Sequence, residues 1–438
     1  MLGITAVCAV VLAVTFALGD QRRIAVVLAS PSEGEAVPST LREVALTFDE
    51  EPDRSAVEES FRIEPAASGV FRWRGRTLVY TFERSLAVGD YRVVVPAGNL
   101  GRGSEPMLED FAVTFRVREP GFAMIVTTET GQALVEVREG EQRTLAQAPR
   151  IIDYAISPDG TQVAVVVAAE TDGGSTRGGL VMVPTDGSPP QSLVQSPDIN
   201  LGGVTWAPDG TSLLVVRRDT LPGGGEGVPR AWLLRITGEF IAPVDPDGNP
   251  SLNPSWSPDG QHLAYLSPSD GRLIAYNLST QVFTNMGQPR GGRAEWSPNS
   301  QLIAWESVPR TEGSNPIQPI RVKSLDSSYD RTFGVEGETR LAPKLLDNDT
   351  VLSLRRQVGS GVRGTELVFE SLEDGRQLRA IFLAGGTDLV LEWDLDPARE
   401  RVVYTVQSGQ QRTTLVLNLE SGEREPIDVS GDRPRWLP

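Results

Sequence analysis

The chain has 438 residues and a mass of 47.4 kDa, room for two to four domains at roughly 100–200 residues each. Its 41 basic and 58 acidic residues leave a formal charge of −17, a field that repels phosphate backbones and argues against nucleic acid as a partner. One Cys and one His in the whole chain exclude an internal disulfide, thiolate or His-rich metal sites and, unless His262 serves as base, a Ser-His-Asp hydrolase.

Residues Met1 to Gly19 are almost wholly apolar, with no charge before Asp20. That is the length of a signal-peptide core and barely that of a membrane span. Ala17-Leu18-Gly19 has the small-x-small form of a signal-peptidase site and would leave Asp20 as the new N-terminus. Against cleavage, no basic residue precedes the apolar run, whereas Arg22 and Arg23 follow it. Residues 1–23 are therefore expected to export the chain, either as a removed leader or as a retained membrane anchor. Cys8 follows Val7 and lies too near the start for a lipoprotein box.

From Ile24 the pattern changes to short runs of period two separated by Gly, Pro and acidic turns, which reads as strands. Strands are expected at Ile24–Ser30, Val44–Phe48, Ser60–Ile63, Val70–Trp73, Thr77–Phe82, Asp90–Val95 and Phe111–Val117. No long helix interrupts them, so residues 24–118 read as a β-sandwich. Val44, Leu46 and Phe48, and again Phe111, Val113, Phe115 and Val117, supply the inward faces. The segment resembles the bacterial Ig-like domain of surface-layer proteins. The resemblance is carried by Ser30-Pro31-Ser32-Glu33-Gly34-Glu35-Ala36-Val37-Pro38, Val44-Ala45-Leu46-Thr47-Phe48-Asp49, Leu86 to Val95 and Phe111 to Phe115. It implies a stalk at the cell surface and no catalytic residue.

Residues 121–438 repeat internally. Ile156-Ser157-Pro158-Asp159-Gly160 recurs as Trp206-Ala207-Pro208-Asp209-Gly210, as Trp256-Ser257-Pro258-Asp259-Gly260 and, more weakly, as Trp296-Ser297-Pro298-Asn299-Ser300. Seven residues beyond each first position stand Val163, Leu213, Leu263 and Ile303, each followed by an apolar pair. Leu345 and Trp393 are taken as a fifth and a sixth copy, the latter with a longer turn before Val402-Val403-Tyr404. Pro fixes φ, Asp bonds local N–H groups and Gly accepts a positive φ, so each copy is a tight turn between two strands. Two further strands per copy give a four-stranded unit that buries its faces only against neighbours, which is the logic of a β-propeller.

Arg433 to Pro438 is a lone inner strand, and Phe122–Thr128, Ala133–Arg138 and Gln142–Ala146 are three strands with no inner strand before them. Joined, they make one composite blade and a ring of seven, with six as the fallback. The copies resemble the WD40-like repeats of TolB-type periplasmic propellers, whose signature is the Trp-Ser-Pro-Asp-Gly turn. That resemblance implies an all-β propeller and leaves function open, since such rings serve binding, scaffolding and accessory roles.

His262 stands at a strand position where sibling copies carry Gln162, Ser212 and Leu302, so an ordinary side chain is expected there. Asp159, Asp209 and Asp259 are explained by their turns. Asp245-Pro246-Asp247-Gly248-Asn249 and Asp347-Asn348-Asp349 concentrate oxygens, yet neither has the spacing of an EF-hand loop. No cofactor or metal is expected. The Gly-rich stretches Asp172–Gly179 and Pro222–Gly227 read as long hairpin loops. The residues preceding the last four inner-strand anchors are Glu295, Lys344, Glu392 and Arg435, whose signs alternate. They are expected to form ion pairs between neighbouring blades beside the channel. The chain thus reads as an Ig-like sandwich followed by a propeller, exported and non-catalytic, with an envelope protein or glycan as partner. The rival is a glycan hydrolase or lyase, which would need two convergent unpaired carboxylates.

Overall fold

The computed structural model describes residues 23–83, 86–103, 106–169, 177–312, 315–357 and 364–438. The apolar leader and residues 172–176 of the first Gly-rich stretch lie outside the described residues. Among the described residues no helix is long and apolar enough to cross a membrane. The chain divides between Glu119 and Pro120 into two compact units.

The first unit is a β-sandwich. One sheet joins Val26–Ser30, Glu43–Phe48, Thr77–Phe82 and Gly69–Arg74 in that spatial order; the other joins Glu35–Val37, Phe111–Val117, Gly89–Val95 and Arg62–Glu64. Alternate residues of both sheets close on one core, with Leu46, Phe48, Leu78, Val93, Val113 and Phe115 buried. Glu35–Val37 pairs parallel to Phe111–Val117, a short strand the period-two reading passes over. Residues Arg54–Ser60 form a helix, where the sequence reading placed the start of a strand at Ser60. Its cause is local: the Asp53 side chain accepts from Ala56 N at 3.2 Å, an N-cap that outweighs strand propensity. Val57 is the helix residue buried in the core.

The second unit holds seven four-stranded antiparallel meanders. The composite one is built from Asp432–Leu437 paired to Gly121–Thr128, followed outward by Gly131–Arg138 and Glu141–Ala148. The interfaces show that the sheets close on themselves. Apolar cores join the first continuous sheet to the second, and so on round to the sixth and the composite sheet. A further core joins the composite sheet to the first through Ala123, Ile125 and Leu437 against Ile151, Tyr154 and Val163. An open stack of seven has six interfaces, so the seventh makes this unit a β-propeller.

The repeat turns are alike in detail. Ser257 Oγ donates to Asp259 Oδ1 at 2.5 Å and accepts from His262 N at 2.9 Å; Ser157 and Ser297 do the same with Asp159 and Asn299. Gly160, Gly210 and Gly260 take φ of 69–70°, where a Cβ is disfavoured. One expectation is corrected here. Leu395, not Trp393, pairs with Val402 as Trp256 pairs with Leu263. Asp396-Pro397-Ala398-Arg399 is therefore a turn of ordinary length. Asp396 Oδ1 accepts from Glu400 N at 2.7 Å and from Arg401 N at 3.0 Å, taking the place of the repeat serine.

Candidate functional site

The inner strands surround an axial cavity of about 920 Å³ lined by residues of every sheet of the ring. With Leu395 as the sixth anchor, one tier consists of the residues immediately before each anchor. On four successive sheets these are Glu295, Lys344, Asp394 and Arg435, and on the other three they are Ala155, Thr205 and Ser255. Three residues before each anchor lies a second tier, charged at Asp153, Arg293, Glu392 and Arg433 and uncharged at Gly203, Asn253 and Ala342. Five of the six continuous inner strands shift register at the second tier or just before it, and so does the composite pair. A β-bulge of this kind bends a strand and re-aims its side chains.

Of the four residues singled out from sequence, two meet directly: Lys344 Nζ lies 3.5 Å from Glu295 Oε1. Its shorter contact, 3.1 Å, is to Asp394 Oδ1, a residue the two-residue slip at Trp393 had concealed. Lys344 also lies over the Trp393 ring at 5.4 Å. Burial alone would favour the neutral amine, but Glu295 and Asp394 override it and hold the ammonium above its usual pKa. Glu392 belongs to the second tier and meets Arg433 Nε at 3.7 Å. Arg435 turns the other way, donating to Asp153 Oδ1 at 2.7 Å while its guanidinium stacks over Tyr154 at 4.7 Å.

Asp153 is the hub that the repeat alignment does not reveal. It is 7% exposed and accepts from Val204 N at 3.1 Å. Arg293 Nη2 and Arg433 Nη1 approach it at 3.7 and 3.8 Å. Burial disfavours its ionised form, yet Arg435 and Arg293 with the other donors hold the carboxyl below its usual range. Arg293 belongs to the fourth continuous sheet and Asp153 to the first, so this contact crosses the axis instead of joining neighbours. The remaining lining carboxylate, Glu306, accepts from Ala342 N at 2.9 Å and lies 3.7 Å from Arg290. Every carboxylate lining the cavity thus has an Arg or Lys within 4 Å.

The other sequence candidates are accounted for locally. Asp245 Oδ1 accepts from Asp247 N at 3.0 Å and its Oδ2 from Tyr265 Oη at 3.0 Å. Asp347 Oδ1 accepts from Asp349 N at 2.8 Å. Among the described residues no group of three or more His, Cys, Asp or Glu is arranged to hold a metal. His262 Nε2 meets Asn277 Nδ2 at 2.8 Å, away from the cavity lining. Pro222–Gly227 forms a turn in which Leu221 N donates to Gly225 O at 2.7 Å.

The class defined by fold and site is a β-propeller with a charged, internally paired axial cavity. Solved structures similar to the chain include propellers of the TolB kind. TolB from Acinetobacter baumannii is 18% identical over 72% of this chain and 82% of its own, with a TM-score of 0.43. The periplasmic gluconolactonase PpgL of Pseudomonas aeruginosa is 13% identical over 73% and 99%, at 0.47. A putative 6-phosphogluconolactonase from Bacteroides uniformis is 13% identical over 73% and 100%, at 0.49. No family model and no curated protein matches the sequence.

Proposed function

We propose that the chain is an exported cell-envelope protein whose propeller is a binding or scaffolding module and whose N-terminal sandwich is an Ig-like stalk. The apolar run Met1–Gly19 supports export or anchoring. The observation that carries the binding reading is the pairing of every lining carboxylate with an Arg or Lys. A glycosidase needs one carboxyl raised to act as acid and a second kept free as base or nucleophile. Burial does raise Glu392, against Arg433 and Arg435, but the second role finds no free carboxylate. Asp153 is held low by its guanidiniums, and Glu295, Glu306 and Asp394 each face an Arg or Lys. A rigid ring presenting loops and a polar funnel suits recognition of a protein segment or a glycan of the envelope.

The test is a thermal-stability screen of the protein from Asp20 onward against envelope peptides and glycans, with mass spectrometry of every ligand that binds. A ligand that binds the native state raises Tm by mass action. A specific rise with the ligand recovered intact supports the reading. Cleaved or eliminated glycan overturns it in favour of a hydrolase or lyase.

A further inference from the structure

The cavity is paired, but its hydrogen-bonding capacity is not used up. Arg293 carries five N–H donors, and among the described residues it makes one long hydrogen bond, Nη2 to Val204 O at 3.3 Å, beside the 3.7 Å approach to Asp153. Arg435 and Lys344, by contrast, hold carboxylates at 2.7 and 3.1 Å. Two lining residues of the second and third continuous sheets, Thr205 and Asn253, have side chains with no hydrogen-bond partner among the described residues. Gly203 completes this uncharged arc; a Cβ there would stand 3.4 Å from Asp153 Oδ2 and 3.8 Å from Arg293 Nη2, so its absence leaves open the space beside the guanidinium.

Resting on the binding reading, we infer that Arg293 anchors a carboxylate of a small polyhydroxylated ligand, a sugar acid of the uronic or aldonic type, with Thr205 and Asn253 receiving its hydroxyls. Charge selects this class. Asp153 alone faces three guanidiniums, and Glu392 takes part of Arg433, so the cluster accommodates one added negative charge. A phosphate dianion exceeds that and meets the surrounding carboxylates. An amine finds no uncommitted carboxylate. A neutral sugar leaves the guanidinium donors unmatched.

The experiment is calorimetric titration of the protein from Asp20 onward with galacturonate and gluconate, alongside galactose, acetate and inorganic phosphate, on wild type, Arg293→Gln and Thr205→Val. The expected result is saturable binding of at least one sugar acid and none of galactose. Arg293→Gln weakens that binding by about tenfold or more, as loss of a charge-assisted fork does. Thr205→Val weakens it by a few-fold, as loss of one neutral hydrogen bond does, and leaves acetate unaffected. Unliganded melting curves identify a variant that fails to fold, in which case Thr205→Val carries the test. Absence of sugar-acid binding overturns the inference, as does Arg293→Gln binding like wild type. Acetate or phosphate matching the sugar acids reduces the site to an unselective anion site and overturns the ligand class. If sugar acids fail while a peptide or another glycan raises Tm, the binding reading survives and this inference does not.

Discussion

Arg435 and Asp153 lie 282 positions apart in the chain and meet at 2.7 Å, where the composite sheet abuts the first continuous one. The pair ties the last strand of the ring to the beginning of the repeat. Asp153→Asn would leave Arg435, Arg293 and Arg433 grouped around a neutral amide. Uncompensated buried charge of this kind costs about 3 kcal/mol, to be read from denaturant unfolding at pH 7. A variant as stable as wild type would show that apolar packing alone closes the ring.

The pH dependence of the same pair has a definite sign. The Asp153 carboxyl is depressed in the folded chain, so its contribution is present above the unfolded value of about 3.9. It is lost as pH falls through the lower folded value. The stability difference between wild type and Asp153→Asn should therefore be constant from pH 7 to about pH 5 and shrink below about pH 4. A difference that vanishes already near pH 6 would implicate some other group.

Two buried tyrosines make a matched comparison. Tyr154 Oη shares its single proton between Ala123 O, at 2.6 Å, and Arg433 O, bridging both strands of the composite pair. Tyr404 is fully buried, and its hydroxyl has no partner among the described residues. Removing a bonded buried hydroxyl costs about 1–2 kcal/mol, whereas removing an unsatisfied one costs little or stabilises. Tyr154→Phe should destabilise by that amount, and Tyr404→Phe should be neutral or slightly stabilising. Equal losses in both variants would contradict the assignment.

Most of the ring was legible because its turns are chemical: Pro, Asp and Gly at fixed offsets mark where each inner strand ends. The sixth copy misled because Trp393 and Leu395 lie two apart, and alternation with period two puts both on one face, so a slip of two leaves the polarity pattern intact. That slip hid Asp394. Asp153 and Arg293 were harder still. They sit at a position where the sibling residues are as different as Gly203, Asn253 and Ala342, and their contact spans the axis between sheets that are neither adjacent in sequence nor neighbours in the ring. The helix at Arg54–Ser60 had a readable signal in Asp53, which the strand spacing overrode.

Lys344 stands between two carboxylates, and its removal tests whether that tier is held by charge. In Lys344→Met, Glu295 and Asp394 lose their shared cation and face each other across the place it occupied. The expected loss is about 2–3 kcal/mol at pH 7, the scale on which breaking a partly buried pair operates. Neutralising the carboxylates as well, in the triple variant Lys344→Met, Glu295→Gln, Asp394→Asn, should recover part of this, because no repulsion then remains. In wild type the raised Lys344 contributes at neutral pH and loses its contribution only as pH rises past the unfolded value of about 10.4 and through the higher folded one. Denaturant curves at pH 7 for the three proteins read the effect, and an equal deficit in the two variants would mean that lost packing over Trp393 dominates.

The bulge at the second tier places Ala342 at φ 44°, as it places Asn253 at 49° and Arg433 at 53°. An L-residue with a Cβ is disfavoured there by about 1–2 kcal/mol, and Asn less so. Glycine removes that strain but adds about 0.5–1 kcal/mol of unfolded-chain entropy. Ala342→Gly should therefore stabilise the chain by about 0.5–1 kcal/mol, keeping the Ala342 N to Glu306 Oε1 bond of 2.9 Å because the backbone donor remains. Asn253→Gly should gain less, since Asn already tolerates the conformation. Both are read from the denaturant midpoint at constant slope. A loss of stability in Ala342→Gly would mean that its methyl group contributes more to the packing around Leu341 than the strained backbone takes away.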